Sequence, residues 1–338
     1  MKFTLHRTFD DLEPLAAEWN GLLAESVTHV PFLRYEYLSA WWATRGGGEW
    51  PASSELALVT AHQDGRLAGI APLFFTANRE AEPSLLLLGS IEISDYLDLI
   101  VRPADVESFL PGLFDFLPSL PFDWKNLDWH NLLENSPILP ALQTEAGKRG
   151  WTFSLEKTYH APSIPLTGDF ETYLAGIDKK QRHEIRRKMR RALELGGVDW
   201  YIVKDESALD AEVDAFLALM AADPDKAAFL TEVMRSQMHA AIHAAFEAGW
   251  LQLAFFTVNG AKAAGYLNFD YDNRIWVYNS GLDRRFMEYS PGWVLLGYLL
   301  QWANENKRSH FDFMRGNEDY KYRFGGVDKF VVRAKVSR

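Results

Sequence analysis

The sequence predicts an α/β protein of two domains, and three observations carry that expectation. At 338 residues, with 48% hydrophobic and 24% charged residues, the chain is long enough for two compact cores and too apolar for a disordered one. Strand-like and helix-like segments alternate along it. The order of segments in the first half then returns in the second.

In the first half, residues 32–44 carry aromatic and aliphatic side chains at helical spacing. Residues 55–61, 67–76, 84–88 and 96–101 read as strands separated by Gly, Pro, Asn and Asp. Residues 106–117 read as a helix ended by Pro118 and Pro121, and 126–129 as a short strand. A helix over 138–149 closes at Gly150, and 151–156 forms another strand. A linker near 157–165 sets the expected domains at 1–160 and 161–338. In the second half, 173–195 reads as one helix stopping at Gly196 and Gly197, 200–203 as a strand, and 208–222 and 226–248 as helices. Residues 251–258, 263–271 and 274–280 form a meander whose first turn, Asn259 and Gly260, is a strong hairpin signal. A helix over 292–306 and strands at 310–314 and 330–336 complete the second sheet.

The halves also share local sequence. HQDGRLAGIAPLFF (62–75) and FTVNGAKAAGYLNF (256–269) each place Ala-Gly on an apolar strand after a turn glycine, and LDW (127–129) and FDF (311–313) each set an Asp between apolar residues. Two copies of one unit account for this pattern, and the commonness of such hairpins accounts for it equally well.

The formal charge of −11 argues against indiscriminate nucleic-acid binding. It is unevenly spread. Residues 179–191 (KKQRHEIRRKMRR) hold eight Lys/Arg against one Glu, leaving −18 for the rest. At 100° per residue, Lys179, Arg182, His183, Arg186, Arg187 and Arg190 gather on one side of a helix, opposite Ile185, Met189 and Ala192. Such a face suits an anion: the phosphates of a nucleotide cofactor, a sugar-phosphate acceptor, or the acceptor arm of a tRNA. A solvated helix face is the plain alternative. The absence of Cys excludes disulfides, thiolate nucleophiles and Cys-based metal sites. No signal-like or membrane-spanning apolar run is present in this sequence, and a cytoplasmic location is expected. His239 and His243 have the spacing of a helical metal pair. HAAIH lacks the Glu of zinc hydrolases, however, and no third ligand is near in sequence, so no metal is expected.

The segment 278–313 reads strand, loop, Gly-led helix, strand. A helix opening with Ser290, Pro291 and Gly292 presents unpaired N–H groups and the positive end of its dipole to an anion, and Gly292 lets a ligand approach the backbone. Ser290 as cap and Pro291 at the first helical position also make an ordinary helix start. In GNEDYKYRFGG (316–326), Lys321 and Arg323 alternate with Tyr320, Tyr322 and Phe324 between glycine turns, a composition suited to a segment folded over a pocket. Asp312, Asp283, Asp98 and Asp95 are the carboxylates available as a base. Tyr278, Tyr289 and Tyr320 are possible proton donors.

Several pieces along the chain together resemble one family: PFLRYEYLSAWW (31–42), DGRLAGIAPLF (64–74), LLGSIEISDYLDLIV (87–101), KKQRHEIRRKMRRALELGG (179–197), SPGWVLLGYLLQWA (290–303) and FDFMRGNEDYKYRFGG (311–326). The chain resembles the GNAT superfamily of N-acyltransferases, and within it the tandem-GNAT proteins called CelD-like or BioF2-like, relatives of the Fem aminoacyl transferases of peptidoglycan cross-bridges. The resemblance implies two GNAT-like domains, each a mixed, mostly antiparallel sheet flanked by helices. It also implies an acyltransferase that moves an acyl group, acetyl foremost, from acetyl-CoA or another acyl-CoA to an amine on a small or cell-envelope-related acceptor. In it Ser290, Pro291, Gly292, Trp293 and Arg284 hold the cofactor, although only Gly292 stands where GNAT loops usually carry two small residues. Lys321 stabilises the oxyanion, and Asp312 or Asp283 assists deprotonation. Arg182, Arg186, Arg190 and Tyr320, with Asp95, Tyr96 and Asp98 from the first half, meet the acceptor or an anion in a cleft between domains. The alternatives are a Fem-like enzyme using aminoacyl-tRNA and a non-catalytic anion- or partner-binding module of the same fold.

Overall fold

The computed structural model describes residues 1–338, which divide into two compact units. The first comprises Met1–Tyr159 with Phe330–Arg338, and the second His160–Lys329. The expected boundaries of 1–160 and 161–338 therefore misassign the last strand, which the chain returns to the first unit.

The first unit runs β1 (Lys2–His6), α1 (Ala16–Ala24), α2 (Tyr35–Gly48), β2 (Glu55–Leu56), β3 (Leu58–Gln63), β4 (Arg66–Ala71), β5 (Leu73–Ala77), β6 (Pro83–Leu87), β7 (Ile100–Val101), α3 (Val106–Phe116), β8 (Asn126–Leu133), α4 (Ile138–Lys148) and β9 (Thr152–His160). The second runs β10 (Ser163–Pro165), α5 (Phe170–Gly176), α6 (Lys179–Leu195), β11 (Val198–Ile202), α7 (Leu209–Met220), α8 (Pro224–Phe229), α9 (Glu232–Glu247), β12 (Leu251–Val258), β13 (Ala261–Tyr271), β14 (Arg274–Leu282), α10 (Pro291–Glu305), β15 (His310–Asp312) and α11 (Asp319–Arg323). β16 (Phe330–Ser337) then closes the chain.

The first unit holds two sheets, ordered β1-β3-β4-β7 and β2-β5-β6-β8-β16-β9. The second holds one sheet, ordered β10-β15-β14-β13-β12-β11, in which only β14 and β15 pair in parallel. β16 carries the β pattern its sequence announces, with Val331, Val332, Ala334 and Val336 buried, but pairs antiparallel with β8. Its partner was not written in its own residues.

Local chemistry explains where the expected elements divide. Pro72 has no N–H to continue a ladder, and the strand expected over 67–76 becomes β4 and β5 in different sheets. The helix expected over 173–195 is cut because the Asp178 carboxylate accepts from the Lys180 and Gln181 amides and starts α6 anew. Thr231 caps α9 through the Met234 amide, and Asp223 caps α8, which divides 226–248 in the same way. The strand expected over 96–101 shrinks to β7, since Tyr96 is in the left-handed region at φ 61°.

The shared sequence pieces fold alike. Asp64 and Gly65 join β3 to β4 with φ of 52° and 80°, and Asn259 and Gly260 join β12 to β13 with φ of 49° and 78°. Positive φ at both central residues is the type I′ turn, whose twist matches the strands it joins. In each unit a helix then links two parallel strands: α3 between β6 and β8, and α10 between β14 and β15. In the second unit Val294, Leu295 and Leu299 of α10 and Ile185 and Ala192 of α6 bury against sheet residues including Phe256, Ala264 and Val277. A side chain at Gly297 would come within 2.9 Å of Met189 Sδ, so this glycine lets α6 and α10 pack closely. No helix is long and apolar enough to cross a membrane.

Candidate functional site

In the second unit the sheet opens where β14 meets α10. β14 is nine residues long, yet β15 pairs only with its first three, Arg274, Ile275 and Trp276. The chain then leaves β14, because Phe313 gives its amide to the Pro162 carbonyl next to β10. β14 continues to Leu282 paired on one side with β13 alone, and its other edge is bare. A bulge lies at the start of this stretch: Leu267 faces Asn279 while Asn268 faces Val277, which leaves Tyr278 as the extra residue.

The bare edge ends at the start of α10. A Cβ on Gly292 would lie 3.6 Å from Leu282 Cδ2, an ordinary contact, so the space above Gly292 is open. Ser290 takes the left-handed conformation at φ 52° and its hydroxyl caps nothing, which leaves the first-turn N–H groups of α10 without a side-chain acceptor. Trp293 packs on Phe324 with ring centroids 4.6 Å apart, and Lys188 Nζ sits 4.1 Å over its ring. Its indole N–H is enclosed and has no hydrogen-bond partner. Arg284 is 71% exposed, and its nearest carboxylate, Asp223, stands 3.9 Å away. A depression of about 410 Å³ beside this stretch is lined by Lys226, Ser280, Gly281, Leu282, Arg284 and Met287.

Titratable groups gather around the same half of β14. Lys226 donates to Asn279 Oδ1 at 2.9 Å and to the Ser280 carbonyl. Burial lowers its pKa, against the opposing pull of Asp223 and Glu318. Tyr266 on β13 lies opposite Ser280 and is buried, which raises its phenol pKa. Tyr320 on α11 meets Phe313 edge to face at 5.9 Å. Burial, then the Glu318 charge, push its phenol well above the ordinary range. Lys226, Glu318 and Tyr266 escape a reading of the sequence, because no local spacing links α8, β13 and the loop before α11.

The expected site residues fall into distinct roles. Ser290, Pro291, Gly292, Trp293 and Arg284 come together at the open end of β14, and Tyr320 belongs to the cluster just described. Asp312 is spent in the fold: it is 1% exposed, pairs with Lys329 and accepts the Met314 amide at 2.8 Å. Asp283 accepts the Arg285 amide and holds the Arg285 guanidinium, whose hydrogen bonds keep its carboxyl below the usual range. Lys321 is 3% exposed, with Nζ directed to the Arg315 carbonyl at 2.7 Å, the Gly316 carbonyl at 3.2 Å and Glu318 at 2.9 Å. It fastens the loop before α11. Gly316 takes φ 113° there, a backbone conformation that L side chains rarely adopt.

The expected row on α6 is divided. Arg182 caps the end of α5 through the Ala175 carbonyl at 3.1 Å, Arg186 pairs with Glu171, and Arg190 is exposed. A wider hollow of about 850 Å³ involves Lys179, Lys180, Arg187 and Arg323 instead.

In the first unit, Asp95, Tyr96 and Asp98 are buried in the loop after β6. Asp98 accepts from Thr28 Oγ1 at 2.7 Å, Ser136 Oγ at 2.6 Å and the Leu99 amide at 2.9 Å. Burial outweighs these bonds and raises its pKa to about 6. These contacts are those of a packed loop.

Residues 179–322 match the acetyltransferase (GNAT) domain family. Among solved structures, the chain shares its fold with FemX at a TM-score of 0.68 and 11% identity, over 99% of this chain and 97% of that one. A conserved protein of unknown function from Bacteroides thetaiotaomicron matches at 0.62 and 14% identity, over the whole of both chains. L-PGS from Bacillus licheniformis matches at 0.56 and 11% identity, over 95% of this chain and 91% of that one. No curated protein sequence matches the chain. Residues 179–322 of the second unit thus match a GNAT acetyltransferase domain, and the chain as a whole shares its fold with FemX.

Proposed function

We propose, for a chain whose residues 179–322 match a GNAT acetyltransferase domain, that the second unit moves an acyl group, acetyl foremost, from a coenzyme A thioester to an amine. The observation that supports this most is the bare edge of β14 leading into the uncapped start of α10. In this reading the amide-bearing pantetheine arm pairs with β14 as an added strand. The pyrophosphate rests on the first-turn amides of α10 at Gly292 and Trp293, with Arg284 at the rim. The thioester carbonyl then lies along the half of β14 that pairs with β13 alone.

The residues divide the proton transfers. The acceptor nitrogen attacks the carbonyl carbon, the C–S bond breaks, and the thiolate takes a proton from Tyr320, which is held protonated by its raised pKa and recovers the proton from solvent after product leaves. Glu318, with its side chain 58% exposed, takes the proton released by the amine and passes it to solvent. The base thus moves from Asp312 and Asp283, 1% and 18% exposed in their ion pairs, to Glu318, whose own pair with Lys321 leaves its side chain 58% exposed. An amine on a small or cell-envelope-related molecule, met in the cytoplasm, is the acceptor of this reading. One observation favours a second reading with an aminoacyl-tRNA donor: the hollow at the start of α6 collects Lys179, Lys180, Arg187 and Arg323, with Asp178 and Glu184 beside them.

Calorimetric titration with CoA, acetyl-CoA and an aminoacyl-tRNA separates these. The proposal expects one site for the CoA species. No heat with either sinks it, and salt-sensitive heat with the aminoacyl-tRNA alone favours the second reading. Tyr320→Phe should lower kcat about 100-fold at unchanged KM, as loss of a general acid does. An unchanged kcat removes Tyr320 from the mechanism.

A further inference from the structure

On another face of the second unit, α7 and α9 lie side by side with two ligand pairs turned toward each other. α7 carries Asp210 and Asp214, and α9 carries His239 and His243, each pair spaced i, i+4 and so aligned on one helix face. The pairs meet in antiparallel register: His243 Nε2 lies 2.8 Å from Asp210 Oδ1, and His239 Nε2 lies 3.1 Å from Asp214 Oδ1. The two imidazoles are nearly parallel, 17° apart, with centroids separated by 6.4 Å. Donor atoms of Asp210, His239 and His243 all lie within 4.8 Å of one another. The ion pairs of these two aspartates are with these two histidines, so no Lys or Arg fills the place of a cation.

From this geometry we infer that the Asp210–Asp214 and His239–His243 faces form a binding site for a divalent transition-metal ion, zinc foremost, that clamps α7 to α9. Two imidazole nitrogens and two carboxylate oxygens make a tetrahedral set. Zinc bonds of about 2.0–2.2 Å require donors about 3.3–3.5 Å apart. The imidazole–carboxylate pairs must open by a few tenths of an ångström. The remaining gaps, up to 4.8 Å among Asp210, His239 and His243 and wider to Asp214, are left to rotation of side chains that are 31% (His239), 38% (His243), 73% (Asp214) and 80% (Asp210) exposed. The imidazoles select zinc, nickel or copper over magnesium and calcium, which prefer all-oxygen shells. Being exposed, the site exchanges its ion with solvent and binds in the micromolar range. HAAIH alone shows half of this site, because the carboxylates arrive from a helix 33 residues away in sequence. The inference is independent of the acyl-transfer reading.

The test is calorimetric titration of the untagged, chelator-treated full chain with zinc chloride, beside His239→Ala/His243→Ala and Asp210→Asn/Asp214→Asn. The site predicts one zinc per chain with Kd of about 1–20 μM, weakened at least about 30-fold in either double variant, and no heat from magnesium. All four side chains are at the surface, and circular dichroism checks that the variants fold. Cobalt(II) provides a second reading: the intense visible absorption of tetrahedral cobalt should appear in the parent chain and vanish in the histidine variant. No saturable zinc heat, or equal affinity in the parent and both variants, overturns the inference.

Discussion

In the first unit the strand that follows the crossover helix is long and its parallel neighbour short; in the second the proportions reverse. β6 ends at Leu87 after pairing Ser84 and Leu85 with Asn126 and Leu127, while β8 runs on to Leu133. The extra length of β8 is covered by the chain itself. Asn131 gives its side-chain amide to the carbonyls of Ile91 and Ser94, and its own carbonyl accepts the Leu97 amide. In the second unit it is β14 that runs on, and no strand pairs with its far edge beyond Trp276. The helix starts differ in the same sense. Asp105 precedes α3 and Glu107 stands in its first turn, whereas α10 has no acid in its first turn and opens with Pro291 and Gly292. One arrangement of strands and crossover helix is closed and anion-repelling in the first copy, and open and anion-ready in the second.

What the copies keep in common is equally instructive. Asp128 of LDW is fully buried and bound by Arg333, and Asp312 of FDF is 1% exposed and bound by Lys329. Burial raises the Asp128 pKa, but its bonds to His130 and Arg333 outweigh that and bring it below the usual range. A residue doing the same job in the closed copy and the open one serves the fold. The largest expected effect follows: Asp128→Asn and Asp312→Asn should each cost about 3 kcal/mol of unfolding free energy, as charge-assisted hydrogen bonds to a buried carboxylate are lost. Acyl transfer per folded molecule should survive Asp312→Asn. A stable variant with activity lost about 1000-fold would return the role of base to Asp312.

The buried Asp98 tests whether the first copy is closed. Its unfolded carboxyl titrates near the ordinary value of 3.8 and its folded one near 6. Well below pH 3.8 both states are neutral and the group costs nothing. As pH rises toward 6 the unfolded chain ionises first, so stability falls, and the deficit is complete above the folded pKa at about 3 kcal/mol. Denaturant unfolding of Asp98→Asn should therefore gain on the parent by up to this amount between pH 4 and pH 7.5. A difference independent of pH means that Asp98 is not enclosed as described.

A smaller effect tests the open copy. Gly292→Asp gives α10 the acid that α3 already has, at a position where a Cβ makes only ordinary contact. Acetyl-CoA affinity should fall about 100-fold, or about 2.7 kcal/mol, with the melting temperature held within a few degrees. Retained affinity would place the pyrophosphate elsewhere.

How far the sequence foretells this follows from the range of the interactions. The type I′ turns at Asp64–Gly65 and Asn259–Gly260, the Ser290-Pro291-Gly292 helix start and the paired LDW and FDF strands are legible, because backbone conformation there depends on two or three residues. The return of β16 to β8 is not, since a strand's pattern names its buried face and not its neighbour. Counting back from the Asp272–Asn273 turn places Tyr266 opposite position 279, and the Tyr278 bulge moves it to Ser280. Lys226 reaches Asn279 across 53 residues and carries no local sign of it. Asp312 looked like a base because it is an acid between aromatic residues on a strand; only the structure supplies Lys329, which explains its burial.

The central claim, that the open half of β14 and the start of α10 hold the thioester while the closed copy does not, is tested most directly by hydrogen–deuterium exchange with and without acetyl-CoA. The account predicts slowed exchange at residues 277–282 and 290–294 and none at 88–99 or 126–133. Protection of the first-unit segments with none at β14 and α10 would contradict it.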